Sequence, residues 1–331
     1  MKVRSVGIVG VGSYVPENVL TNADLENIVE TNNEWIVSRT GIKERRQAGE
    51  GVPVSELCLV AAKRALEDAR VKAGDLDLII VATVTPDFIF PATACLIQAG
   101  LGANKAGAFD LEAGCTGFMY ALSVGSQFIA TGMYSNVLVI GADTLSKLVD
   151  WTDRGTCILF GDGAGAVVLR PVEDGKGILS TVLGSQGDGG DLLKLPGGGS
   201  AFPTSEQTVR DRMHYIKMAG NDVFKFAVRT MGETAVQSLE QAGLTTADID
   251  VLVPHQANIR IIDASVKRLG IDPSKVIINL ERYGNMSSAS IPVALDEATK
   301  DGRIKNGDTV VMVGFGAGLT YSACTMKWCK N

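Results

Sequence analysis

Cys115 is the residue of this sequence best suited to chemistry, because the pattern around it predicts the start of a helix. Gly114 and Gly117 flank it, and apolar residues then recur at helical spacing through residues 118–129. The unpaired N–H groups and the positive end of the dipole at such a start lower the pKa of a thiol and make its sulfur nucleophilic. A small buried cysteine that packs as a hydrophobe fits the same stretch equally well.

Two histidines, His214 and His255, are the only imidazoles in the chain, so any chemistry that needs one must use one of them. A histidine beside Cys115 would lower the pKa of the thiol further. His214 lies in a Gly-, Asp- and Ser-rich stretch over residues 184–219, and we assign it a structural role. Such a stretch is typical of a lid over a binding site or of a plain surface excursion.

The composition excludes several classes of protein. The 331 residues are 46% hydrophobic, which is ample for a large core, and the length predicts two domains or one large α/β unit. A net charge of −6 argues against a nucleic-acid partner. The six cysteines include no Cys-x-x-Cys pair, which argues against a metal site or a disulfide framework and indicates a reducing, cytoplasmic location. No apolar run reaches the roughly 20 residues that span a membrane.

Glycine-rich stretches near the N-terminus do not form a nucleotide site. Gly10 and Gly12 begin the spacing of a dinucleotide fingerprint, but Val15 stands where the third glycine is required, so we reject an NAD site. The apolar run over residues 5–10 is short and broken by glycine, which argues against a signal peptide and predicts a buried first strand.

The second half of the chain repeats the first at a constant offset of 173 residues. The matches span helices and continuous apolar runs typical of buried parallel strands. They pair Leu66 with Leu239, Asp75 with Asp248, Ala121 with Ala294, Val137 with Val310 and Gly141 with Gly314. The sequence therefore predicts a duplicated α/β unit, with an N-terminal half at 1–172 and a C-terminal half at 173–331.

The repeat also indicates where a ligand binds. Cys115 corresponds to Ser288, so Asn285 belongs to the helix start that mirrors the cysteine, and His255 lies just past a predicted strand. Ligands gather at the carboxyl ends of parallel strands, so we expect these residues and the turn at 314–318 to share one crevice. A thiolate for acyl transfer and two hydrogen-bond donors for an enolate make a coherent set.

Trp35 lies in a second candidate binding segment, residues 33–46, together with a cluster of cations that includes Arg39. An aromatic ring beside cations can hold a phosphorylated ligand that carries a base, by stacking and by charge. A solvated helix end with a half-buried tryptophan gives the same pattern.

Four segments closely resemble β-ketoacyl–acyl carrier protein synthase III, the initiating condensing enzyme of fatty acid synthesis. They are GCTGF at 114–118, VPHQAN at 253–258, RYGNMSS at 282–288 and GFGAG at 314–318. The resemblance covers nearly the whole chain. It implies a thiolase-like α/β fold, in which two pseudo-symmetric halves form layers in the order α-β-α-β-α.

The resemblance implies a catalytic triad of Cys115, His255 and Asn285. Cys115 would take the acyl group of an acyl-CoA as a thioester, with the backbone N–H groups of Cys115 and Gly316 as the oxyanion hole. His255 and Asn285 would then hold the thioester oxygen of malonyl–acyl carrier protein while loss of CO2 leaves an enolate that attacks the acyl group. No cofactor is implied, because the CoA thioester is a substrate. Phe315 stands where degradative thiolases carry a second catalytic cysteine.

Contacts to CoA are also implied by the resemblance. Trp35 and Arg154 would sandwich the adenine, while Thr31, Arg39 and Asn258 would line the pantetheine tunnel or the phosphate site.

Two partners follow from the same resemblance. Phe90 resembles the residue that a second subunit contributes to the acyl pocket, which implies a homodimer. Arg260, Lys267 and Arg268 lie at i, i+7 and i+8, so a helix places them on one face, and with Lys225 they would form a basic patch for the acidic carrier protein. An ordinary solvated helix face gives the same pattern.

Three other functions remain open at the level of sequence. A papain-like hydrolase shares the order Cys, His, Asn, but it lacks a place for the 173-residue repeat and carries a different motif around its cysteine. A non-catalytic acyl-CoA-binding module would not need Cys115. A priming synthase of polyketide or specialised lipid synthesis would share every motif and differ in its primer, which small changes of pocket volume decide.

Overall fold

Two mixed β-sheets form the framework of the protein. The structure is a computed structural model, and it describes residues 3–330. The strands are β1 Val6–Tyr14, β2 Val19–Thr21, β3 Glu44–Arg46, β4 Leu78–Ala82, β5 Gly107–Leu111, β6 Val137–Thr144, β7 Asp162–Pro171, β8 Gly177–Ser185, β9 Leu193–Lys194, β10 Lys217–Met218, β11 Val251–Pro254, β12 Thr309–Gly316 and β13 Thr320–Lys327. The helices are α1 Asn22–Glu26, α2 Asn33–Thr40, α3 Val54–Ala69, α4 Thr93–Leu101, α5 Gly117–Ala130, α6 Arg154–Cys157, α7 Glu206–Arg210, α8 Gly220–Gln241, α9 Ile259–Leu269, α10 Leu280–Tyr283 and α11 Ser290–Lys300.

The first sheet has the strand order β1-β7-β6-β4-β5. β4 is parallel to both of its neighbours, β5 and β6, while β7 is antiparallel to β6 and to β1. Every residue of β4 and β6 is buried. This matches the continuous apolar runs at these positions, because strands covered on both faces have no polar side to present.

The second sheet repeats this arrangement in the order β8-β13-β12-β11. β11 is parallel to β12, and β13 is antiparallel to β12 and to β8, as their counterparts are in the first sheet. The offset of 173 residues carries β4 onto β11 and β6 onto β12, within one residue of their observed starts. The duplication predicted from the sequence is therefore visible as two sheets of one topology.

The repeat fails at one element. The counterpart of β5 would be residues 280–284, where the structure has the short helix α10. The side chain of the buried Gln256 hydrogen-bonds to the backbone at the start of this helix. Its Oε1 accepts from Asn279 N at 3.1 Å and from Leu280 N at 3.3 Å. In the described structure, a single parallel bridge, from Leu252 to Val276, lies beside β11 in place of a fifth strand.

The helices form three layers around the two sheets. α5 and α11 lie in the middle, where Phe118, Leu122 and Leu295 share one apolar cluster with side chains of both sheets. α3 and α4 cover the outer face of the first sheet, and α8 and α9 cover the outer face of the second. The layered α-β-α-β-α arrangement implied by the sequence is confirmed.

The chain passes from the first sheet to the second between Pro171, the last residue of β7, and Gly177, the first of β8. We propose the division between residues 172 and 173 on this ground. Within the described residues, no helix is both long enough and apolar enough to cross a bilayer.

Candidate active site

Cys115 is held by the close contact of two glycine-containing turns. It lies in a short 3₁₀ helix, Gly114–Thr116, and α5 begins at Gly117, two residues later than the sequence pattern predicted. Gly114 has φ of +54°, and a Cβ atom on it would lie 2.7 Å from Ala317 N. A Cβ atom on Gly316 would lie 2.5 Å from Cys115 N. Only glycine at both positions allows the two backbones to approach this closely.

His255 follows directly on β11, as expected. Its backbone N–H donates to Val313 O at 2.8 Å, which continues the pairing with β12 and fixes the residue at the end of the strand. The side chain is 1% exposed. Its ring meets the ring of Phe315 edge-on, with 5.5 Å between the centroids. A Cβ atom on Gly314 would lie 3.2 Å from His255 Cβ and 3.9 Å from Thr116 Cγ2, so only this glycine separates the histidine from the cysteine turn.

Asn285 is fixed through its backbone and its side chain together. Its N–H donates to Leu159 O at 2.8 Å, and its carbonyl accepts from Gly161 N at 3.0 Å. Its Oδ1 accepts from Ser287 N at 2.8 Å, which leaves the Nδ2 group as a donor. Ser287 has φ of +48°, a strained conformation for a residue other than glycine.

The two helix starts meet where the two halves face each other. The 3₁₀ helix Ser287–Ala289 precedes α11 as Gly114–Thr116 precedes α5, at the same offset of 173 residues. Ser288 is the repeat partner of Cys115, and a Cβ atom on Gly117 would lie 3.7 Å from its Cβ. The structure thus brings Cys115, His255 and Asn285 to one place from three elements.

A buried carboxylate ties this place together. Asp143, at the end of β6, is fully buried and accepts from Ser288 N at 3.1 Å and Ser288 Oγ at 2.8 Å. Its other oxygen accepts from Val84 N at 2.8 Å and Thr83 Oγ at 3.1 Å. Asp143 therefore connects the start of α11 to the loop that follows β4.

Burial sets the charge of the two titratable groups of the site. It raises the pKa of the Cys115 thiol to about 12, more than the hydrogen bond from Ser287 lowers it, and the carboxylates of Asp143 and Glu112 add to the rise. Burial also lowers the pKa of His255 to about 3, so the imidazole is neutral and lends the thiol no positive charge. The expected lowering of the cysteine pKa is therefore wrong for this structure, because desolvation outweighs the helix start.

An apolar cavity of about 790 Å³ opens onto Cys115. Ser287 and Ala317 also line it, whereas His255 and Asn285 do not. The apolar part of that wall includes Leu145, Leu148, Phe160, Leu193 and Ile216. Its volume is in the range of pockets that enclose a small ligand.

Four of the five residues expected to contact CoA lie together. The guanidinium carbons of Arg39 and Arg154 lie 4.8 Å and 5.1 Å from the centroid of the Trp35 ring. Asn258 Nδ2 donates to Arg39 O at 3.0 Å. None of these residues lines the cavity, but Trp35 packs on the apolar cluster that contains Leu145, Phe160 and Ile216 of its wall.

Thr31, the fifth, has a buried hydroxyl for which the described residues offer no hydrogen-bond partner. Arg154 Nη1 donates to the carbonyl of the preceding residue, Glu30, at 3.2 Å. Thr31 is thereby adjacent to the same group.

Phe90 is 84% exposed and does not line the cavity of its own chain. Its neighbours Phe88 and Ile89 are 57% and 85% exposed. The three form an exposed apolar segment between β4 and α4.

The four cations of the expected basic patch are exposed, on α8 and α9. Arg260 lies over the ring of Phe224, 5.2 Å from its centroid. Two of the others form ion pairs with acidic neighbours: Lys225 with Asp222 at 3.2 Å and Arg268 with Glu233 at 2.7 Å. Neither Lys267 nor Arg260 forms an ion pair within the described residues.

Two residues of the site were missed by the sequence analysis. Asp143 gave a signal, since it is a charged residue at the end of a buried apolar strand. Ser290 gave none, because nothing in the local pattern connects the first residue of α11 to His255, 35 positions earlier. No three His, Cys, Asp or Glu side chains within residues 3–330 are grouped so that they could hold a metal ion.

Comparisons with known proteins show which family the chain resembles. Residues 109–187 match the model for 3-oxoacyl-[acyl-carrier-protein] synthase III, and residues 239–328 match the model for its C-terminal part. A β-ketoacyl-[acyl-carrier-protein] synthase III of Desulfitobacterium hafniense is 65% identical over 99% of both chains.

Solved structures agree in sequence and in fold. The 3-oxoacyl-[acyl-carrier-protein] synthase III of Aquifex aeolicus is 48% identical and superposes with a TM-score of 0.91, covering 98% of this chain and 100% of its own. A priming β-ketosynthase of a polyketide biosynthetic pathway is 37% identical, with a TM-score of 0.92 over 99% of this chain and 97% of its own. The chain belongs to the β-ketoacyl-[acyl-carrier-protein] synthase III family and has its thiolase-like fold.

Proposed function

We propose that this protein condenses an acyl-CoA primer with malonyl–acyl carrier protein and so initiates fatty acid biosynthesis. The products are a β-ketoacyl–acyl carrier protein, CoA and CO2. The observation that supports the proposal is that the turns carrying Cys115, His255 and Asn285 pack against one another, with Cys115 itself lining an apolar cavity.

In the first half-reaction, Cys115 Sγ attacks the thioester carbon of the acyl-CoA. A new S–C bond forms as the bond to the CoA sulfur breaks, and the thiol proton leaves with CoA. A pKa of about 12 means that the resting thiol is protonated, so the proton departs during the attack rather than before it. The N–H groups of Cys115 and Gly316, on two backbones in close contact, are the proposed donors to the oxyanion.

In the second half-reaction, His255 Nε2 and Asn285 Nδ2 donate hydrogen bonds to the malonyl thioester oxygen. The bond to CO2 breaks, and its electron pair forms an enolate whose charge these donors stabilise. The enolate carbon attacks the acyl group, and the sulfur of Cys115 leaves as a thiolate that takes up a proton from water to restore the resting thiol. A neutral imidazole suits this role, because the step needs a donor and no base.

For the adenine of CoA we propose the space between Trp35 and Arg154. An adenine stacked on both sides needs about 7 Å between the Trp35 ring and the Arg154 guanidinium. The guanidinium carbon of Arg154 now lies 5.1 Å from the centroid of the Trp35 ring. Arg154 would therefore move outward by about 2 Å to admit the base. Arg39 and Asn258, with Thr31, would contact the phosphates or the pantetheine arm.

We also propose two partners. The exposed cations Lys225, Arg260, Lys267 and Arg268 would bind the acidic carrier protein, and their local charge is needed because the chain as a whole is negative. Phe90 would enter the acyl pocket of a second copy, so the working form would be a homodimer in the cytoplasm. The reaction requires no cofactor.

A second candidate is the priming step of polyketide or specialised lipid synthesis. The likeness to the priming β-ketosynthase, at a TM-score of 0.92, favours it. The two candidates share their chemistry and differ in the primer and in the carrier protein that accepts it.

Intact-mass spectrometry after mixing the protein with a panel of acyl-CoAs tests the proposal. We expect one acyl adduct per chain on the natural protein and none on Cys115→Ser. The chain length that reacts fastest names the primer. An adduct on Cys115→Ser, or no adduct with any acyl-CoA, contradicts an acyl-Cys115 intermediate.

Asn285→Ala tests the division of roles in the same assay. We expect acylation of Cys115 to proceed while decarboxylation of malonyl–acyl carrier protein falls by about 10²-fold, the usual cost of one lost oxyanion donor. Equal loss of both half-reactions would refute the assignment.

A further inference from the structure

We propose that Ser290 is a positioning residue that holds His255 in the tautomer with its proton on Nε2. The inference deepens the proposed function and rests on it for its catalytic consequence. The tautomer itself is independent of that function and can be measured without substrate.

The contact between the two side chains is short and sealed from solvent. Ser290 Oγ lies 2.6 Å from His255 Nδ1, and the two residues are 0% and 1% exposed. Ser290 is the first residue of α11, so the same helix start that follows Asn285 also supplies this hydroxyl. The distance alone is compatible with both directions: a hydroxyl that donates to Nδ1, and an Nδ1–H that donates to the hydroxyl.

The surroundings of Ser290 decide the direction. Its oxygen already accepts from Gln256 N at 3.4 Å. Among the hydrogen bonds of the described residues, His255 Nδ1 is the only acceptor within reach of its hydroxyl proton. If Nδ1 carried the proton, the hydroxyl hydrogen would be buried without an acceptor, which is unfavourable. The hydroxyl therefore donates to Nδ1, and the single proton of the neutral ring lies on Nε2.

This tautomer suits the role given to His255. Nε2 is buried and has no partner among the described residues, so its N–H is available to a substrate oxygen. The other tautomer would direct a lone pair at the enolate oxygen and repel it. The edge contact with the Phe315 ring restricts rotation of the His255 ring, so that Nδ1 stays in contact with Ser290 Oγ. An Nε2 that carries a proton also cannot accept the proton of Cys115.

Nitrogen NMR of the full-length protein labelled with ¹⁵N-histidine reads the tautomer directly. The chain has only two imidazoles, and His214→Gln leaves the signals of His255 alone. We expect a protonated Nε2 and an unprotonated Nδ1 in the natural protein. The reverse pattern in the natural protein would overturn the proposal, whatever the variants do.

Ser290→Ala removes the donor to Nδ1, and the ring should become a mixture of tautomers. Condensation should then slow about tenfold, less than for a donor removed outright, because part of the population keeps its Nε2–H. Acylation of Cys115 should stay within about twofold. Ser290→Thr keeps the hydroxyl and should restore both the spectrum and most of the rate.

Ser126→Ala is the matched control. Ser126 is also a buried serine on a helix of the central layer, 3% exposed, but its hydroxyl donates to Ser123 O at 2.7 Å. We expect it to leave the His255 spectrum and the condensation rate unchanged. If Ser290→Ala kept the spectrum of the natural protein, or slowed both half-reactions equally, the positioning role would be wrong. Failure of Cys115 to acylate in the natural protein would instead refute the proposed function.

Discussion

At the scale of single residues, burial decides the chemistry more than sequence position does. His255 has a pKa lowered to about 3, against about 6.5 for a free histidine. Below about pH 6.5 the imidazole of His255 is therefore protonated in the unfolded chain, whereas in the folded chain it stays neutral down to about pH 3. The stability contributed by the neutral ring is full above pH 6.5 and is lost as the pH falls through this window.

The resulting prediction concerns stability against pH. Between pH 7 and pH 5, the histidine alone should reduce the free energy of unfolding by about 2 kcal/mol. Urea unfolding at the two pH values measures the change. His255→Gln has no such proton to bind, so its stability should fall by less over the same interval. An equal fall in both proteins would show that the folded chain admits the proton and that the ring is not held neutral.

The proposed catalytic residues could be named from the sequence because short motifs surround them. GCTGF, VPHQAN and RYGNMSS single out Cys115, His255 and Asn285 without any knowledge of contacts. The charge state of Cys115 was not visible, because it depends on how closely two distant turns cover the thiol. The role of Ser290 was not visible either, because it depends on a contact with His255, 35 positions earlier in the chain.

At the scale of elements, Asp143 joins β6 to the start of α11 and to the loop after β4. Its carboxylate accepts hydrogen bonds from Ser288 and Val84, and no cation among residues 3–330 pairs with it. Asp143→Asn should destabilise the protein by about 1–3 kcal/mol, because one buried acceptor becomes an NH2 group that faces donors. Thermal or urea unfolding measures this loss.

The effect should extend to activity. The turn before α11 carries Asn285, so a displaced Ser288 should slow condensation more than acylation. Asp250→Asn is a comparison at the opposite end of another strand: Asp250 directly precedes β11, is exposed, and within the described residues its carboxylate accepts only from Thr309 N, at 2.8 Å. If Asp143→Asn and Asp250→Asn cost the same stability and leave condensation equally fast, Asp143 has no special role in the site.

A second link between elements holds the segment between α7 and β10. Arg212 forms a two-pronged ion pair with Asp150, a residue only 5% exposed, and its Nε lies 2.9 Å from Oδ2. Ile216 N donates to Leu148 O at 3.0 Å, so the segment contributes to the cavity wall through this attachment. The Arg212 guanidinium holds the pKa of Asp150 well below its usual range, so the pair stays charged down to acidic pH.

Arg212→Gln should therefore loosen this segment and weaken binding of acyl-CoA. We expect faster hydrogen exchange over residues 211–216 and a KM for acyl-CoA raised severalfold, with kcat changed less. Arg210→Gln is the matched control, since the one ion pair of Arg210 in the described part of the chain is with Glu206, within α7. Equal exchange in the two variants would mean that the ion pair does not anchor the segment.

The repeat predicted most elements because packing between sheet and helix recurs in both halves. β11, β12 and α11 begin within a few residues of the positions given by adding 173 to their counterparts. The offset fails at α10, where the side chain of Gln256 replaces the partner of a fifth strand. That substitution depends on a contact across 23 residues, which a comparison of local patterns does not register.

At the scale of the whole molecule, the missing strand makes the two sheets unequal at their edges. β5 is the outer strand of the first sheet, and none of its residues is buried. An edge strand with free N–H and C=O groups is a template for pairing with another chain. The exposed apolar segment Phe88–Phe90 precedes α4, and α4 is followed by β5, so an apolar segment and an open edge are close together in the sequence.

We therefore predict that a second copy covers this segment and that Phe90→Asp separates the copies. A charge at a position that is 84% exposed in the single chain should cost the fold little, but it should be unfavourable once buried against a partner. Sedimentation equilibrium should show a dimer for the natural protein and a shift toward monomer for Phe90→Asp. Acylation of Cys115 should fall with it, because Phe90 would complete the partner's pocket. Val236→Asp, on the outer helix α8 of the other half, should remain dimeric and active. A Phe90→Asp protein that is still a dimer, with its acylation rate intact, would show that this segment lies outside the interface.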